Sequence, residues 1–158
     1  AGLTDKLPLY TVFTIDSIAL PKLQQAKMKA VLGSLNTQFW GPDLDNPQNH
    51  QFVSGFKKKY GRYPSFYAAQ SYDSVFLIKS AVEAVGGNLS DMDGMRAAME
   101  KADFPSVRGA FSYGKNHFPI QNFYLRKVVE DSDGNWTTSV IDTVLKDHQD
   151  TYVGECKI

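Results

Sequence analysis

The sequence lacks the cysteines, the basic excess and the long apolar runs that are typical of zinc-stabilised, nucleic-acid-binding and membrane-spanning proteins. It carries one cysteine, Cys156, among 158 residues, so no disulfide can close within the chain and a cysteine-based zinc site is excluded. Its 17 Lys and Arg equal its 17 Asp and Glu, and the lack of a basic excess argues against a nucleic-acid partner. No apolar run approaches the roughly 18 residues of a membrane span. These absences favour a globular domain.

The common catalytic and metal-binding motifs are also missing. There is no Gly-x-Ser-x-Gly elbow, no phosphate-binding loop and no Gly-x-Gly-x-x-Gly after a strand. His50, His117 and His148 are scattered, which disfavours a zinc site. Residues 131–135 resemble the start of a calcium loop, but Trp136 stands where that loop requires Gly. We therefore expect no catalytic residue, metal or cofactor, and interpret residues 131–135 as a hairpin turn.

Signals for strands and helices alternate along the first part of the chain. Asn46-Pro47 is typical of a helix start, and Gly61 and Gly86-Gly87 are typical of helix ends. In the last helix, Met92, Met95, Ala98 and Met99 are predicted to face inward. The pattern predicts strands over 8–15, 34–40, 122–130 and 136–145, a short strand within 104–113, and helices over 19–31, 47–60, 65–85 and 91–102. This order predicts an α/β fold with a C-terminal antiparallel hairpin.

Candidate ligand-binding residues lie at strand ends and at the start of the longest helix. In open α/β sheets, ligands bind beyond the carboxyl ends of the strands, and helix N-termini attract carboxylates. The candidates are Phe13, Thr14 and Asp16 after the first strand, Trp40 at the end of the second strand, and Tyr67 and Gln70 in the first turn of the helix over 65–85. Packing in a core or between lobes is an open alternative for each of these side chains.

Three stretches of the sequence carry a family resemblance. In DNPQNHQFVSGFKKKYGRYPSFYAAQSYDSVFLIKSAVEAVGG, a helix ends in Tyr-Gly, and a Pro, Ala-Ala and Tyr-Asp then lead a long helix to Gly-Gly. In FPSVRGAFSYGKNHFPIQNFYLRKVVEDSDGNW, a Gly-initiated strand and an Asn turn precede a strand that ends in an Asp-Gly hairpin. AGLTDKLPLYT opens a strand. Together they resemble the C-terminal half of type I periplasmic solute-binding proteins, the branched-chain amino acid receptor group of ABC importers.

The resemblance covers nearly the whole chain and implies a two-lobe architecture. The fold would comprise parts of both lobes of a type I periplasmic binding protein, with parallel sheets flanked by helices and a C-terminal antiparallel hairpin. Residues 1–36 would belong to the second lobe, residues 37–120 to the first lobe, and residues 121–158 to the second lobe and the C-terminal tail. The crossings between lobes would lie near residues 35–40 and 119–123.

The resemblance also implies a function in transport. The protein would bind a small solute in a cleft between lobes, in the bacterial periplasm, and deliver it to a membrane ABC permease. In the family, the loop that matches Phe13, Thr14 and Asp16 supplies polar contacts, and Tyr67 matches an aromatic contact. The family's amino acid receptors have a Gly-rich loop, whereas this loop reads Thr-Ile-Asp-Ser. We therefore expect an aromatic or aliphatic carboxylate ahead of an amino acid.

Two alternatives stay open from the sequence. One keeps the fold but makes the protein a ligand-sensing regulator or receptor domain, which the full-length sequence would distinguish. The other is an α/β enzyme with an unrecognised site, which is weakened by the lack of a base–nucleophile pair.

The chain opens Ala-Gly-Leu-Thr-Asp, with neither an initiator Met nor a signal peptide. We expect the N-terminal part of the same protein to be supplied by a preceding segment or a separate chain. On the resemblance, Cys156 would pair with a cysteine in that part, because a lone thiol is unusual in an oxidising compartment.

Overall fold

The computed structural model describes residues 6–157. Residues 1–5 and 158, which the predicted division into lobes includes, lie outside the described residues. The strands and helices are β1 (Tyr10–Val12), α1 (Ala19–Gln25), β2 (Leu35–Gln38), α2 (Pro47–Tyr60), α3 (Phe66–Ala84), α4 (Met92–Lys101), β3 (Ser112–Tyr113), β4 (Pro119–Glu130) and β5 (Trp136–His148). Short 3-10 turns lie at Lys29–Val31 and Val153–Glu155. The α/β order predicted from the sequence is confirmed.

The strands form a mixed sheet. β1 and β2 pair in parallel with α1 between them, and Tyr10 lies opposite Leu35. β4 runs antiparallel to β2, and β5 runs antiparallel to β4. β3 pairs with the first residues of β4. The predicted C-terminal hairpin is therefore confirmed, and its turn is closed by the Asp131 carboxylate, which accepts hydrogen bonds from the backbone N–H groups of Asp133 and Asn135.

Local signals placed the long helices correctly. The Asn46 side chain accepts a hydrogen bond from Asn49 N at 2.8 Å and so caps α2, which ends at Gly61 with φ at 66°. The Ser65 hydroxyl accepts from Ala68 N at the start of α3. The strand predicted over 8–15 is shorter, Tyr10–Val12, and two further predictions are wrong. The helix over 19–31 ends at Gln25, because Lys27 adopts a left-handed φ of 55°.

Met92 does not face inward: its side chain is 64% exposed. α4 packs on one side against α3, and none of its ten residues, all of them described, is buried. α4 also contacts β3, and Met92, its first residue, projects into solvent. Along residues 6–157, no helix combines the length and the apolar character that crossing a membrane requires.

Two apolar clusters form the core. One lies among the helices and comprises Phe39, Trp40, Leu44, Phe52, Val53, Phe66, Ala69, Val107 and Tyr124. The other lies against the sheet and comprises Ile15, Leu20, Val31, Val128 and Trp136.

A buried ion pair connects α3 to the segment before β3. Asp73 accepts hydrogen bonds from Ser106 Oγ at 2.6 Å, Val107 N at 3.0 Å and Arg108 Nε at 3.0 Å. Arg108 Nη1 in turn donates to Gln121 Oε1 at 2.9 Å. This network fixes α3 relative to the start of β4.

Candidate functional site

The loop after β1 and the start of α3 meet at four aromatic rings, which we call the aromatic cluster: Phe13, Phe39, Phe66 and Tyr67. The Phe13 ring centroid lies 5.9 Å from that of Phe39 and 5.8 Å from that of Phe66. The Phe66 and Tyr67 centroids are 4.0 Å apart. Two residues predicted from distant parts of the sequence, Phe13 and Tyr67, thus reach the same cluster.

The aromatic cluster has a buried base and an exposed edge. Phe39 and Phe66 are buried, whereas Phe13 is 38% exposed and Tyr67 is 59% exposed. Aromatic rings supply large apolar area and favour stacked or edge-to-face contact with other rings. The exposed edge can therefore contact a planar or aliphatic group that approaches from solvent.

Phe13 has an unusual backbone conformation. Its φ is 57°, in the left-handed region that a bulky residue rarely adopts. Holding a residue there costs about 1–3 kcal/mol, and such residues concentrate at functional sites. Contacts with the Phe39 and Phe66 rings hold the Phe13 side chain in place.

The other predicted residues of this loop divide between surface and interior. Thr14 is exposed beside Phe13. Asp16 Oδ1 accepts hydrogen bonds from Ile18 N at 2.9 Å and Ala19 N at 3.2 Å, so Asp16 caps the start of α1. The second carboxylate oxygen, Asp16 Oδ2, is buried and has no hydrogen-bond partner among the described residues.

Gln70 and Trp40 occupy opposite environments. Gln70 is exposed, three residues after Tyr67 on α3, and this spacing places both side chains on the same side of the helix. Trp40 is 3% exposed, and its indole Nε1 donates to Asn49 Oδ1 at 2.8 Å. The indole N–H is therefore already satisfied inside the protein, and a role for Trp40 in ligand contact stays a prediction.

A small cavity lies beneath the aromatic cluster and was not anticipated from the sequence. Its volume is about 20 Å³. Polar and aromatic side chains line it, among them those of Asp16, Asn36, Trp40, Phe66 and Arg126. The cavity joins the loop after β1 to the middle of β2 and β4.

Arg126 is the cationic side chain of this cavity, although it is 1% exposed. Its Nε donates to Thr138 Oγ1 at 3.0 Å and its Nη2 donates to Thr138 O at 2.6 Å and to Asp43 Oδ1. Asp43 Oδ2 accepts from Val140 N at 2.7 Å. Burial lowers the pKa of the Arg126 guanidinium, and the Asp43 carboxylate opposes that shift.

One sequence signal points to Arg126 in retrospect. Tyr124, Arg126 and Val128 occupy alternate positions on β4, and all three are buried. A charged residue on the buried face of a strand requires partners. The structure adds that a Cβ built at Gly41 would overlap the guanidinium of Arg126.

Three contacts join residues 57–64 to the loop after β1 and to the β4–β5 hairpin; we call them the cross-segment contacts. Ser17 Oγ donates to Pro64 O, Tyr63 OH donates to Asp131 Oδ2 at 2.9 Å, and Lys57 Nζ lies 3.7 Å from Asp133 Oδ2.

The pKa values of Tyr63 and Asp131, which form one of the cross-segment contacts, are shifted in the folded protein. Burial, and then the hydrogen bond to Asp131, raise the pKa of the Tyr63 hydroxyl. Burial pushes the pKa of Asp131 up, but hydrogen bonds from Asn135 and Tyr63 outweigh it, so the pKa of Asp131 is lowered.

Comparison with known proteins places the chain among binding proteins. The family model described as "Periplasmic binding protein" matches residues 1–135. Leu/Ile/Val-binding protein homolog 6 of Brucella abortus (strain 2308) is 32% identical over 118 residues, which cover 73% of this chain and 30% of that relative. The chain thus spans less than a third of the length of this curated relative.

Solved structures agree on the fold. A solute-binding protein of an ABC transporter from R. palustris, in complex with benzoate, matches with a TM-score of 0.79 and 31% identity over 96% of this chain and 39% of that chain. A solute-binding protein of an ABC transporter from Rhodopseudomonas palustris HaA2, in complex with p-hydroxybenzoic acid, matches with a TM-score of 0.79 and 27% identity, covering 98% and 42%.

Proposed function

Because the chain belongs to the periplasmic binding protein family, we propose that it forms part of a solute-binding protein of an ABC importer. The ligand is a small organic acid, with an aromatic carboxylate ahead of an aliphatic carboxylate or an amino acid. The observation that carries this proposal is the aromatic cluster, in which exposed Phe13 and Tyr67 flank buried Phe66. The benzoate complex of the R. palustris relative supports an aromatic acid.

The proposed division into lobes follows the sheet. Residues 1–36 and 121–158 form part of one lobe, and residues 37–120 form part of the other. In support, β1, β2, β4 and β5 share one sheet, whereas α2, α3 and α4 are inserted between β2 and β4. The chain passes between lobes near residues 35–40 and 119–123, where β2 ends and β4 begins.

The ligand binds where the two lobes face each other. Phe13 and Thr14 approach it from the lobe that contains the sheet, and Tyr67 and Gln70 approach it from the start of α3. The rings supply stacking area, and the Thr14 hydroxyl and Gln70 amide supply hydrogen bonds for a carboxylate or a ring substituent. A ligand that contacts both lobes favours the closed form over the open form.

The proposed setting is the bacterial periplasm, and the partner is a membrane permease that receives the ligand. The protein binds and releases its ligand without converting it. Asp16 contributes indirectly, because it caps α1 and so positions the loop that carries Phe13 and Thr14.

A thermal-shift screen of the full-length gene product tests the proposal. The panel contains benzoate, 4-hydroxybenzoate, phenylpropanoids, leucine, valine and short amides. A ligand present at 100 times its Kd stabilises the folded state by about 2.7 kcal/mol, so the Tm rises with ligand concentration. We expect the aromatic acids to give the largest rise. If no member of the panel raises the Tm, the proposed function is wrong.

Tyr67→Ala tests the aromatic cluster directly. Loss of the stacking ring weakens binding of the best ligand by about 2- to 12-fold, because such ring contacts contribute about 0.5–1.5 kcal/mol. Isothermal titration calorimetry measures the change. Tyr60→Ala is a matched control, since Tyr60 is also an exposed tyrosine stacked on a phenylalanine, Phe56, at 4.5 Å. Equal affinities for the two variants would contradict the proposed site.

The proposed disulfide of Cys156 has a simple test. Cys156 is partly exposed at the end of the described chain. We expect the full-length protein to change its electrophoretic mobility on reduction, and a Cys156→Ser variant to run like the reduced protein under both conditions. Unchanged mobility of the wild type on reduction rules out the disulfide.

A further inference from the structure

The cavity beneath the aromatic cluster is lined by three side chains that each carry a buried polar atom without a hydrogen-bond partner among residues 6–157: Asp16 Oδ2, Asn36 Oδ1 and Arg126 Nη1. An unsatisfied buried polar atom costs about as much as a lost hydrogen bond, and folded proteins contain few of them. Three such atoms lining one cavity indicate a polar occupant.

The three side chains are held in place by their other atoms. Asn36 Nδ2 donates to Ile15 O at 2.8 Å. Asp16 Oδ1 caps α1, and Arg126 Nε and Nη2 donate to Thr138. None of the three can turn toward a different partner without breaking one of these hydrogen bonds. The unpartnered atoms therefore stay at the cavity.

The chemistry of the three atoms restricts the occupant. Asp16 Oδ2 and Asn36 Oδ1 accept hydrogen bonds, whereas Arg126 Nη1 donates one. The Asp16 carboxylate repels an anion, and the Arg126 guanidinium repels a cation. The volume of about 20 Å³ exceeds the roughly 10–15 Å³ that one water needs, so the cavity accommodates one water-sized group.

We propose that this cavity is a binding site for one neutral hydroxyl-type oxygen, which donates to Asp16 and Asn36 and accepts from Arg126. A water molecule satisfies all three atoms, since buried waters typically make about three hydrogen bonds. A hydroxyl group of a bound ligand satisfies two of them, and this second source rests on the proposed function. Either occupant connects the loop that carries Phe13 to β2 and β4.

Crystal structures of the full-length protein test the site. They are determined without ligand, with benzoate and with 4-hydroxybenzoate, at a resolution that defines ordered waters. An oxygen within hydrogen-bond distance of the three atoms in all three structures identifies the occupant as water. Replacement of that oxygen by the ligand hydroxyl only in the 4-hydroxybenzoate complex identifies the ligand as the second source. A dry cavity, an anion in it, or a direct contact between Asp16 and Arg126 overturns the proposal.

The ligand-free structure separates this proposal from the proposed function. If the screen finds no ligand but an ordered oxygen occupies the cavity, the site stands and the transport function fails. If ligands bind but the ligand-free cavity is dry, the site fails and the transport function stands.

Asp16→Asn adds a solution test. The substitution retains the oxygen that caps α1 and replaces the acceptor at the cavity with an amide donor. Asp91→Asn is the matched control, because Asp91 Oδ1 caps α4 by accepting from Gly94 N at 2.9 Å and Asp91 is exposed. We expect the Tm to fall by at least about 3 °C more for Asp16→Asn than for Asp91→Asn. Equal Tm values, with the oxygen still in place in crystals of Asp16→Asn, overturn the proposed role of Asp16.

Discussion

The helical segment (residues 37–120) and the sheet segment (residues 6–36 and 121–157) are stabilised by different means. In the helical segment, aromatic rings fill most of the core, and buried polar side chains such as Asn49 and Asp73 bond to backbone groups of other elements. In the sheet segment, the core cluster is smaller and largely aliphatic, and backbone ladders between β1, β2, β4 and β5 connect the strands.

The difference follows from where the backbone hydrogen bonds go. Each helix satisfies its backbone groups internally, so packed helices are connected to one another only through side chains. Strands are connected by their own backbone groups. Removing one buried polar side chain is therefore expected to damage the helical segment more than removing one apolar side chain damages the sheet segment.

Asp73→Ala is expected to have the largest effect. It leaves the buried Arg108 without its carboxylate partner, and breaking one side of a buried ion pair costs about 3–5 kcal/mol. Urea unfolding measures the loss. Asp93→Ala is the control, because Asp93 pairs with Arg96 on the surface and such a pair contributes below about 1 kcal/mol. Similar losses for the two variants would show that the Asp73 network does not stabilise the helical segment.

Leu20→Ala is expected to have the next largest effect. Leu20 is buried in the cluster against the sheet, and truncation of a buried leucine to alanine costs about 2–5 kcal/mol. We expect a value in the lower half of that range, because α1 is short and can settle toward the sheet. The same urea experiment measures it. A larger loss of unfolding free energy for Leu20→Ala than for Asp73→Ala would contradict the expectation that the helical segment depends more on its buried polar side chains.

Tyr63→Phe is expected to have the smallest effect and tests how the segments are joined. It removes the hydrogen bond from Tyr63 to Asp131, which contributes about 1 kcal/mol. The pKa of Asp131 is lowered in the folded protein. The stability that its ionised carboxylate contributes is therefore present above the unfolded pKa of about 3.9 and is lost as the pH falls through the folded pKa. The variant should therefore lose less stability on acidification than the wild type.

Urea midpoints between pH 6 and pH 2.5 measure this dependence for wild type and variant. Tyr152→Phe serves as the control, since Tyr152 is an exposed tyrosine near the end of the chain. If Tyr63→Phe and the wild type lose the same stability over this pH range, the hydrogen bond to Asp131 does not connect the two segments.

Features that depend on near neighbours could be predicted from the sequence. The helix start at Asn46 and the helix end at Gly61 involve contacts within a few residues, and both predictions were correct. The family and the α/β class were also correct, because they rest on the order of many such signals. The early end of α1 was missed, because the residue with left-handed backbone there is Lys27 and not a glycine, which would have signalled a helix end.

Features that depend on distant neighbours were only partly predictable. Phe13 and Tyr67 could be proposed because each lies at the end or start of an element. Their meeting through Phe66 required the three-dimensional arrangement. The partner of Arg126, Asp43, lies 83 residues away in the sequence, so no local pattern could identify it. The division into lobes and the ligand contacts stay predictions.

The closeness of Gly41 to Arg126 limits how this protein can evolve. Any side chain at position 41 would have to displace a buried guanidinium from Thr138 and Asp43. A substitution at position 41 alone therefore disrupts this buried hydrogen-bond network, and the two positions are expected to change together. Among relatives, a residue larger than glycine at the position of Gly41 should accompany a smaller or uncharged residue at the position of Arg126.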